Sequence, residues 1–274
     1  MISPLLQFAP ADAPLLLELS ESIGWPHEIG DWQTTLAASQ VFGHRATDGK
    51  ILSSSSIYQF GPTLAALAVV LVREEFRRQG LARAAVLRCL DQVPGVPQML
   101  VATPFGQPLY ESLGFKIAEQ IVRLIAAEGT SLPVTGAIKP MTDADLPRVF
   151  DLDRAIYQAD RSLVLRHRWV QAEGGVMLAD GSGYAWKIPQ RGGLVLGPVV
   201  ATSPQDAANL VAHLTADFPG RIKIEVPERH TKLMTTLTGA GFVVDSSRPL
   251  MLKNVEQLPG RRETLFGLAS LGFC

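Results

Sequence analysis

The chain has 274 residues, 47% of them apolar and 19% charged, enough for one large or two ordinary packed domains and unlike a disordered chain. A formal net charge of −1 supplies no basic field for nucleic acid, and no nucleic-acid partner is expected. Two cysteines, Cys89 and Cys274, suggest neither a disulfide framework nor a thiolate metal site, so no metal is expected.

The amino-terminal stretch lacks a basic start and is broken by Pro10, Asp12 and Pro14. It reads as neither signal peptide nor membrane span, which makes the cytoplasm the expected compartment and excludes a membrane partner. A first strand is expected at Leu5 to Phe8, then a helix from Ala11 onward with Asp12 as its cap and Pro14 in its first turn. Gly24-Trp25-Pro26 stops it, and a second helix is expected from Ile29 to Ala38. Val41 to Thr47 and Ile51 to Phe60 read as strands joined at Asp48-Gly49, a hairpin signal. The latter contains Ser53 to Ser56, hydroxyls on both faces to which the sequence gives no role.

Ala65 to Val72 is an apolar, β-branched strand running into Arg77-Arg78-Gln79-Gly80-Leu81-Ala82, which opens an Ala/Leu-rich helix. A strand, a glycine turn and a helix start in succession suit an anion, because the first helical N–H groups have no partner inside the helix and the macrodipole is positive there. Further elements are a strand at Pro97 to Thr103, a short helix at Pro108 to Gly114 ended by its glycine, and a closing strand pair from Phe115 to Ala127.

The spacing Arg77-x-x-Gly80-x-Ala82 resembles the (R/Q)-x-x-G-x-(G/A) pyrophosphate loop of GNAT-type N-acetyltransferases. Thirty residues after Gly80, Leu109-Tyr110-Glu111-Ser112-Leu113-Gly114-Phe115 is similar to that family's L-Y-E-x-x-G-F element, with one helix and one strand between the two motifs. The resemblance implies acetyl-CoA as cosubstrate. It places the backbone groups of Leu71 and Val72 against pantetheine, and the N–H groups from Arg78 through Gln79, Gly80 and Leu81 to Ala82 around the pyrophosphate, with Arg77 and Arg78 adding charge-assisted contacts. Tyr110 corresponds to the family's general acid toward the coenzyme sulfur. Thr103 stands where many relatives have an asparagine, which leaves that cofactor contact open.

After a linker expected at residues 129–136 the element order begins again: helices from Met141 and over Arg161 to Gln171, and strands at Gly175 to Leu178, Tyr184 to Ile188 and Leu194 to Val200. Then come a helix over Pro204 to Thr215, a strand at Ile222 to Val226, a helix through Leu233 to Gly239, and a last strand pair opening at Phe242. The expected fold is α/β (α+β): two tandem GNAT-like domains, residues 1–128 and 137–274, each a mixed, mostly antiparallel sheet flanked by helices.

Overlaying the halves puts Pro204 where Gly80 stands and Leu237 near the place of Tyr110. Ser203 is a good helix cap, Pro204 has no N–H to offer and Asp206 repels an anion, so the second half is expected to keep the scaffold without the cofactor loop. The whole resembles bacterial tandem acetyltransferases with an intact first and a degenerate second domain. The implied activity is acetyl transfer to a primary amine of a small molecule held between the halves, by a monomer or homodimer. The alternatives are a non-catalytic acyl-CoA-binding module and a protein or peptide N-acetyltransferase. No acid or histidine lies between Thr63 and Val72, so the base is open: water, Glu28, Asp31, His44, or Asp160, Arg161 and Tyr157 of the second half.

Overall fold

The computed structural model describes residues 3–126, 132–216 and 218–274. The expected boundary at 128 and the first part of the expected linker fall on residues 127–131, outside the described residues.

The first half runs β1 (Leu6–Phe8), α1 (Ala13–Ser22), α2 (Ile29–Ala38), β2 (Gln40–Arg45), β3 (Ile51–Phe60), β4 (Leu64–Val72), α3 (Leu81–Leu90), β5 (Gln98–Val101), α4 (Gln107–Ser112) and β6 (Lys116–Ala126). The second repeats this order with β7 (Ile138–Pro140), α5 (Leu146–Tyr157), α6 (Ser162–Gln171), β8 (Gly174–Leu178), β9 (Tyr184–Gln190), β10 (Gly193–Val200), α7 (Pro204–Thr215), β11 (Ile222–Pro227), α8 (Thr231–Gly239) and β12 (Phe242–Lys253). A short β13 (Leu265–Gly267) follows. Local signals explain much of this. Gly49 takes φ +92° at the β2–β3 turn, where Asp48 Oδ1 accepts from the Lys50 N–H, and Pro14 sits in the first turn of α1. Asp12 occupies the cap position, but its carboxylate accepts instead from the Ala9 N–H and the Arg45 guanidinium.

The ends of the halves differ from expectation. Among the described residues neither contains a closing strand pair; each contributes a single long strand. Among the described residues thirteen strands form one sheet in which β12 lies between β5 and β6, and β6 lies between β12 and β11. The antiparallel β6–β12 ladder runs from Lys116–Leu252 to Ala126–Phe242, so each half completes its sheet with the other's last strand. The physical reason is that a strand's ladder partner is set by side-chain complementarity over the whole length, which local pattern does not encode. Ile121, Leu124, Leu250 and Leu252 along this pair are all buried. Each fully buried side chain of this kind stabilises by roughly 1.5–3 kcal/mol.

Helices cover both faces. In the first half α3 and α4 pack on Phe42, Ile57, Ala65 and Leu67, while α1 and α2 pack on Val41, Ile51 and Leu71 of the opposite face. On that second face a cluster shared by both halves joins Tyr58, Ala66 and Ala68 to Tyr157, Leu165 and Trp186. In the second half α7 and α8 bury Leu210, Val211, Leu233 and Leu237 against Leu196 and Ile224.

Because each half is completed by the other's strand, residues 1–128 expressed alone should expose the ladder edges of β5 and β6 and aggregate, as should 137–274 alone. Co-expression of the two fragments should give a soluble 1:1 complex in size-exclusion chromatography. A soluble, monomeric 1–128 fragment with native circular dichroism would contradict the strand exchange.

Candidate active site

The site begins with a break in β4. Ala68 faces Ser56 and Leu71 faces Ser54, so Val69 and Val70 together oppose Ser55 in a β-bulge. Val69 takes φ +41°, a costly conformation for a β-branched residue, of order 1–3 kcal/mol. The Ser54 hydroxyl, fully buried, donates to the Val69 carbonyl at 2.8 Å and holds the bulge in place. Its neighbours in the serine run are also engaged: Ser53 Oγ lies 2.7 Å from His44 Nδ1 and Ser55 Oγ accepts from the Cys89 thiol.

Beyond the bulge β4 separates from β5. Their parallel pairing covers only Ala65–Gln98 and Ala66–Met99. Arg73 N–H donates to Leu52 O, so by the alternation of an antiparallel ladder Leu71 spends its backbone groups on Ser54, whereas those of Val72 point away from β3 into the opening. Of the two residues assigned to pantetheine, the register thus offers the backbone of Val72. Leu71 is turned to β3 and its side chain is core.

The glycine turn follows. Arg78 at φ +60° and Gly80 at φ +82° turn the chain into α3. Any Cβ at residue 80 would meet open space, so the conformation rather than crowding calls for glycine. Arg77 N–H donates to Glu74 O and Ala84 N–H to Gly80 O; between them, the N–H groups from Arg78 to Arg83 have no partner among the described residues. Such an unmet row at a helix start is an anion cradle. Arg77 reaches Glu74 at 2.9 Å and the Val72 carbonyl at 3.4 Å, and its guanidinium lies 5.3 Å from the ring centre of Phe105. Arg78 and Gln79 are exposed, Leu81 is buried at the helix start and Ala82 is half-buried. Phe105, 77% exposed on the turn after β5, was not singled out from sequence; an aromatic in Thr103-Pro104-Phe105-Gly106 was the available signal.

Thr103 Oγ1 accepts from the Gly106 N–H at 3.1 Å and so fixes the turn that starts α4. Tyr110 lies on α4, buried against Phe115, and its hydroxyl has no hydrogen-bond partner among the described residues. Burial pushes its phenol well above the ordinary value, so it carries its proton at neutral pH.

The base candidates separate. His44 is buried beside Ser53, kept neutral by burial, and lies on the strand face of Phe42, the α3 side. Arg161 is buried and bonds Asp153 through Nε at 3.0 Å, Tyr157 donates to the backbone oxygen of Cys274, and Asp160 accepts from the Ser162 N–H. These three are tied up in structure. Glu28 and Asp31 line a cavity of about 190 Å³ between the halves.

The second half handles the corresponding place differently. Ser203 Oγ accepts from the Asp206 N–H at 3.1 Å and Pro204 starts α7, so that helix caps itself. Leu237, five residues before Phe242 as Tyr110 is before Phe115, is core. The gap between β10 and β11 is filled as well. They pair only over Leu194 to Leu196, after which β13 lies against β10 at Val199 and Val200. Ala201 N–H donates to Thr264 O and Leu268 N–H to Glu225 O, so the chain's own segment bridges both strands. His230, its pKa lowered to about 4 by burial, stacks on Phe266 and bonds Leu265 O.

Both halves match acetyltransferase models: residues 14–115 the acetyltransferase (GNAT) family and residues 149–267 the acetyltransferase (GNAT) domain. The chain belongs to the GNAT acetyltransferases, with two such domains in tandem, and is an acyltransferase. It is 28% identical over 265 residues to the uncharacterized N-acetyltransferase YitH of Bacillus subtilis, covering 93% of each chain. A putative acetyltransferase from Pyrococcus horikoshii shares the fold over 100% of this chain and 96% of its own, with a TM-score of 0.84 at 14% identity. A tandem GNAT protein from the clavulanic acid biosynthesis pathway matches with a TM-score of 0.67 at 13% identity over 92% of this chain and 98% of its own. The family uses acetyl-CoA as cosubstrate and acts on an acceptor. Among the described residues no helix is long and apolar enough to cross a membrane, and no group of three or more His, Cys, Asp or Glu side chains is placed to hold a metal.

Calorimetric titration with acetyl-CoA should give one site per chain, and Gly80→Glu, which adds strain and a negative charge to the cradle, should remove the heat; a stoichiometry of two would contradict the filled second gap. Ser54→Ala should lower stability by about 1–3 kcal/mol in a denaturant midpoint, through the unmet Val69 carbonyl, and weaken acetyl-CoA binding.

Proposed function

We propose that the chain transfers an acetyl group from acetyl-CoA to a primary amine of a small molecule, at one active site in the first domain, residues 1–128, with 137–274 as the acceptor-side wall. The row of unmet N–H groups from Arg78 to Arg83 beside the β4–β5 opening carries this reading. Acetyl-CoA supplies the activated thioester when bound. The cradle and the Arg77 and Arg78 guanidiniums hold its pyrophosphate, and the Val72 backbone pairs with its amide arm. Tyr110 keeps a proton on its phenol beside the place where the sulfur leaves and donates it as the carbon–sulfur bond breaks; the nitrogen–carbon bond forms as the amine attacks the carbonyl. The amine must arrive unprotonated or lose its proton in the step, and Glu28, exposed on the α2 side of the cavity between the halves, is the acceptor we assign to that proton.

A binding module without chemistry has no use for an unpartnered, protonated tyrosine at the sulfur, so Tyr110 favours the enzyme. The reaction leaves the thiol of CoA, which a thiol reagent reads directly. Tyr110→Phe should reduce kcat about 100-fold or more, the usual size of a lost general acid, with acetyl-CoA affinity nearly unchanged. An unchanged kcat would remove the acid role, and no thiol release from any small amine would return the reading to a binding module.

A further inference from the structure

The cavity between the halves carries chemistry that acetyl transfer in general does not demand. It opens where α2 of the first half meets α6 and the β9–β10 hairpin of the second, lined by Glu28, Asp31, Arg168 and Gln190 and by aliphatic Ile188 and Val195. Arg168 has a side chain only 7% exposed. Its Nη1 donates to Asp31 Oδ1 at 2.9 Å and to Gln171, but its Nε is enclosed without any partner and its Nη2 makes no hydrogen bond among the described residues. Gln171 is occupied by the Gly30 carbonyl and Thr34 Oγ1. Leaving a guanidinium edge unmet in a buried place is costly, so the edge has a use when something fills the cavity. The free Nε–Nη2 edge is the fork that fits a carboxylate with two parallel hydrogen bonds. On the facing α2 side the carboxylates of Glu28 and Asp31 would repel a plain anion and attract an ammonium. Behind Gln190 a further cation, Lys223, donates to its side-chain oxygen.

We propose that this cavity holds the acceptor, and that the acceptor is a small zwitterion of the amino-acid kind, its carboxylate on the free edge of Arg168, its amine toward Glu28 and Asp31 and a short apolar side chain on Ile188 and Val195. This rests on the N-acetyltransferase reading above. Position is compatible with it: the acetyl carrier enters by the head of α3 on one face of the sheet, while α2 and α6 lie on the other, so the two ligands would not compete for one place. Size supports it too, because about 190 Å³ is below the roughly 300–1,000 Å³ of pockets for drug-sized ligands. A simple amine would leave the Arg168 donors unmet, and sites built to bond a substrate group discriminate strongly against analogues that lack it.

The test uses the full chain with acetyl-CoA and three matched pairs: L-leucine and 3-methylbutylamine, L-lysine and 1,5-diaminopentane, L-phenylalanine and 2-phenylethylamine. At least one amino acid should exceed its decarboxylated partner in kcat/KM by about 100-fold or more. Arg168→Met should raise KM for that amino acid by about tenfold or more, and by clearly more than it raises KM for the matched amine, with KM for acetyl-CoA unmoved. Should Arg168→Met fail to fold, Glu28→Gln on the exposed rim is read instead, and it should raise KM for the amino acid while the thermal transition stays in place. Equal turnover of both members of every pair, or an equal KM shift for both in the variant, overturns the zwitterion and leaves the acetyltransferase standing. If no compound of either kind is acetylated, the small-amine reading fails by itself. Calorimetric binding of the amino acids to wild type but not to Arg168→Met would then keep the cavity as their site, and no binding would remove it.

Discussion

The antiparallel ladder between β6 and β12 is the constraint on which the rest depends. Without it the exchanged strands would leave two separate sheets, β1 to β5 with β12 and β6 with β11 to β7. With it, one sheet runs from β1 to β7 and the helices of the two halves are fixed on its faces. The contact of α2 with α6 follows, secured by the Asp31–Arg168 ion pair and by Gln171 on Gly30. The charged side chains on the exchanged strands are matched in the same way. Arg123 on β6 meets Glu225 on β11 at 2.7 Å, a pair that exists only because a strand of the first half lies beside one of the second. Arg123 also crowds Lys223, and burial, the larger effect, pushes that ammonium down to about 8.

The two halves solve one topological problem in opposite ways. A parallel strand pair that parts leaves backbone groups facing a gap, and these must be met by something. In the first half the bulge at Val69, strained and held by Ser54, turns the Val72 backbone to the gap, where the Arg77 guanidinium reaches its carbonyl, beside an uncapped helix. In the second, β13 enters the gap and Ser203 caps the helix, so the same needs are met from within. Gly197 fits this arrangement: a Cβ there would lie 2.0 Å from the Leu268 carbonyl. Strain and unmet donors lie in one copy and saturation in the other, and on this contrast the proposed cofactor place rests.

The sequence carried the elements well, because apolar period and turn chemistry are local. Ile29–Ala38, Ile51–Phe60 and Pro204–Thr215 coincide with the helix and strand limits read from it, and Gly80 against Pro204 foretold which helix would be open. Non-local choices were not legible. Nothing near Phe115 or Phe242 says that its strand will find its partner in the other half. Nothing in Ser53-Ser54-Ser55-Ser56 says that the second hydroxyl would brace a bulge fifteen residues on. Among the base candidates, Asp160, Arg161 and Tyr157 could not be told from Glu28 and Asp31 by type. Only their positions separate them: Arg161 and Tyr157 turn toward α5 and the segment ending at Cys274, Asp160 caps the start of α6, and the other two turn toward the cavity.

The second half contributes to the first although its own gap between β10 and β11 is filled. A GNAT sheet that lacks its penultimate neighbour would leave β5 and β6 with unmet edges, and β12 is what meets them. The wall opposite α2 is likewise foreign: Arg168, Gln190, Ile188 and Val195 all come from the second half. The two contributions are coupled, since α6 and the β9–β10 hairpin can face α2 only while the ladder sets the sheet's continuity. Acceptor binding would then depend on both ends of the chain at once, while the loop before α7 carries the proline and carboxylate that close its helix.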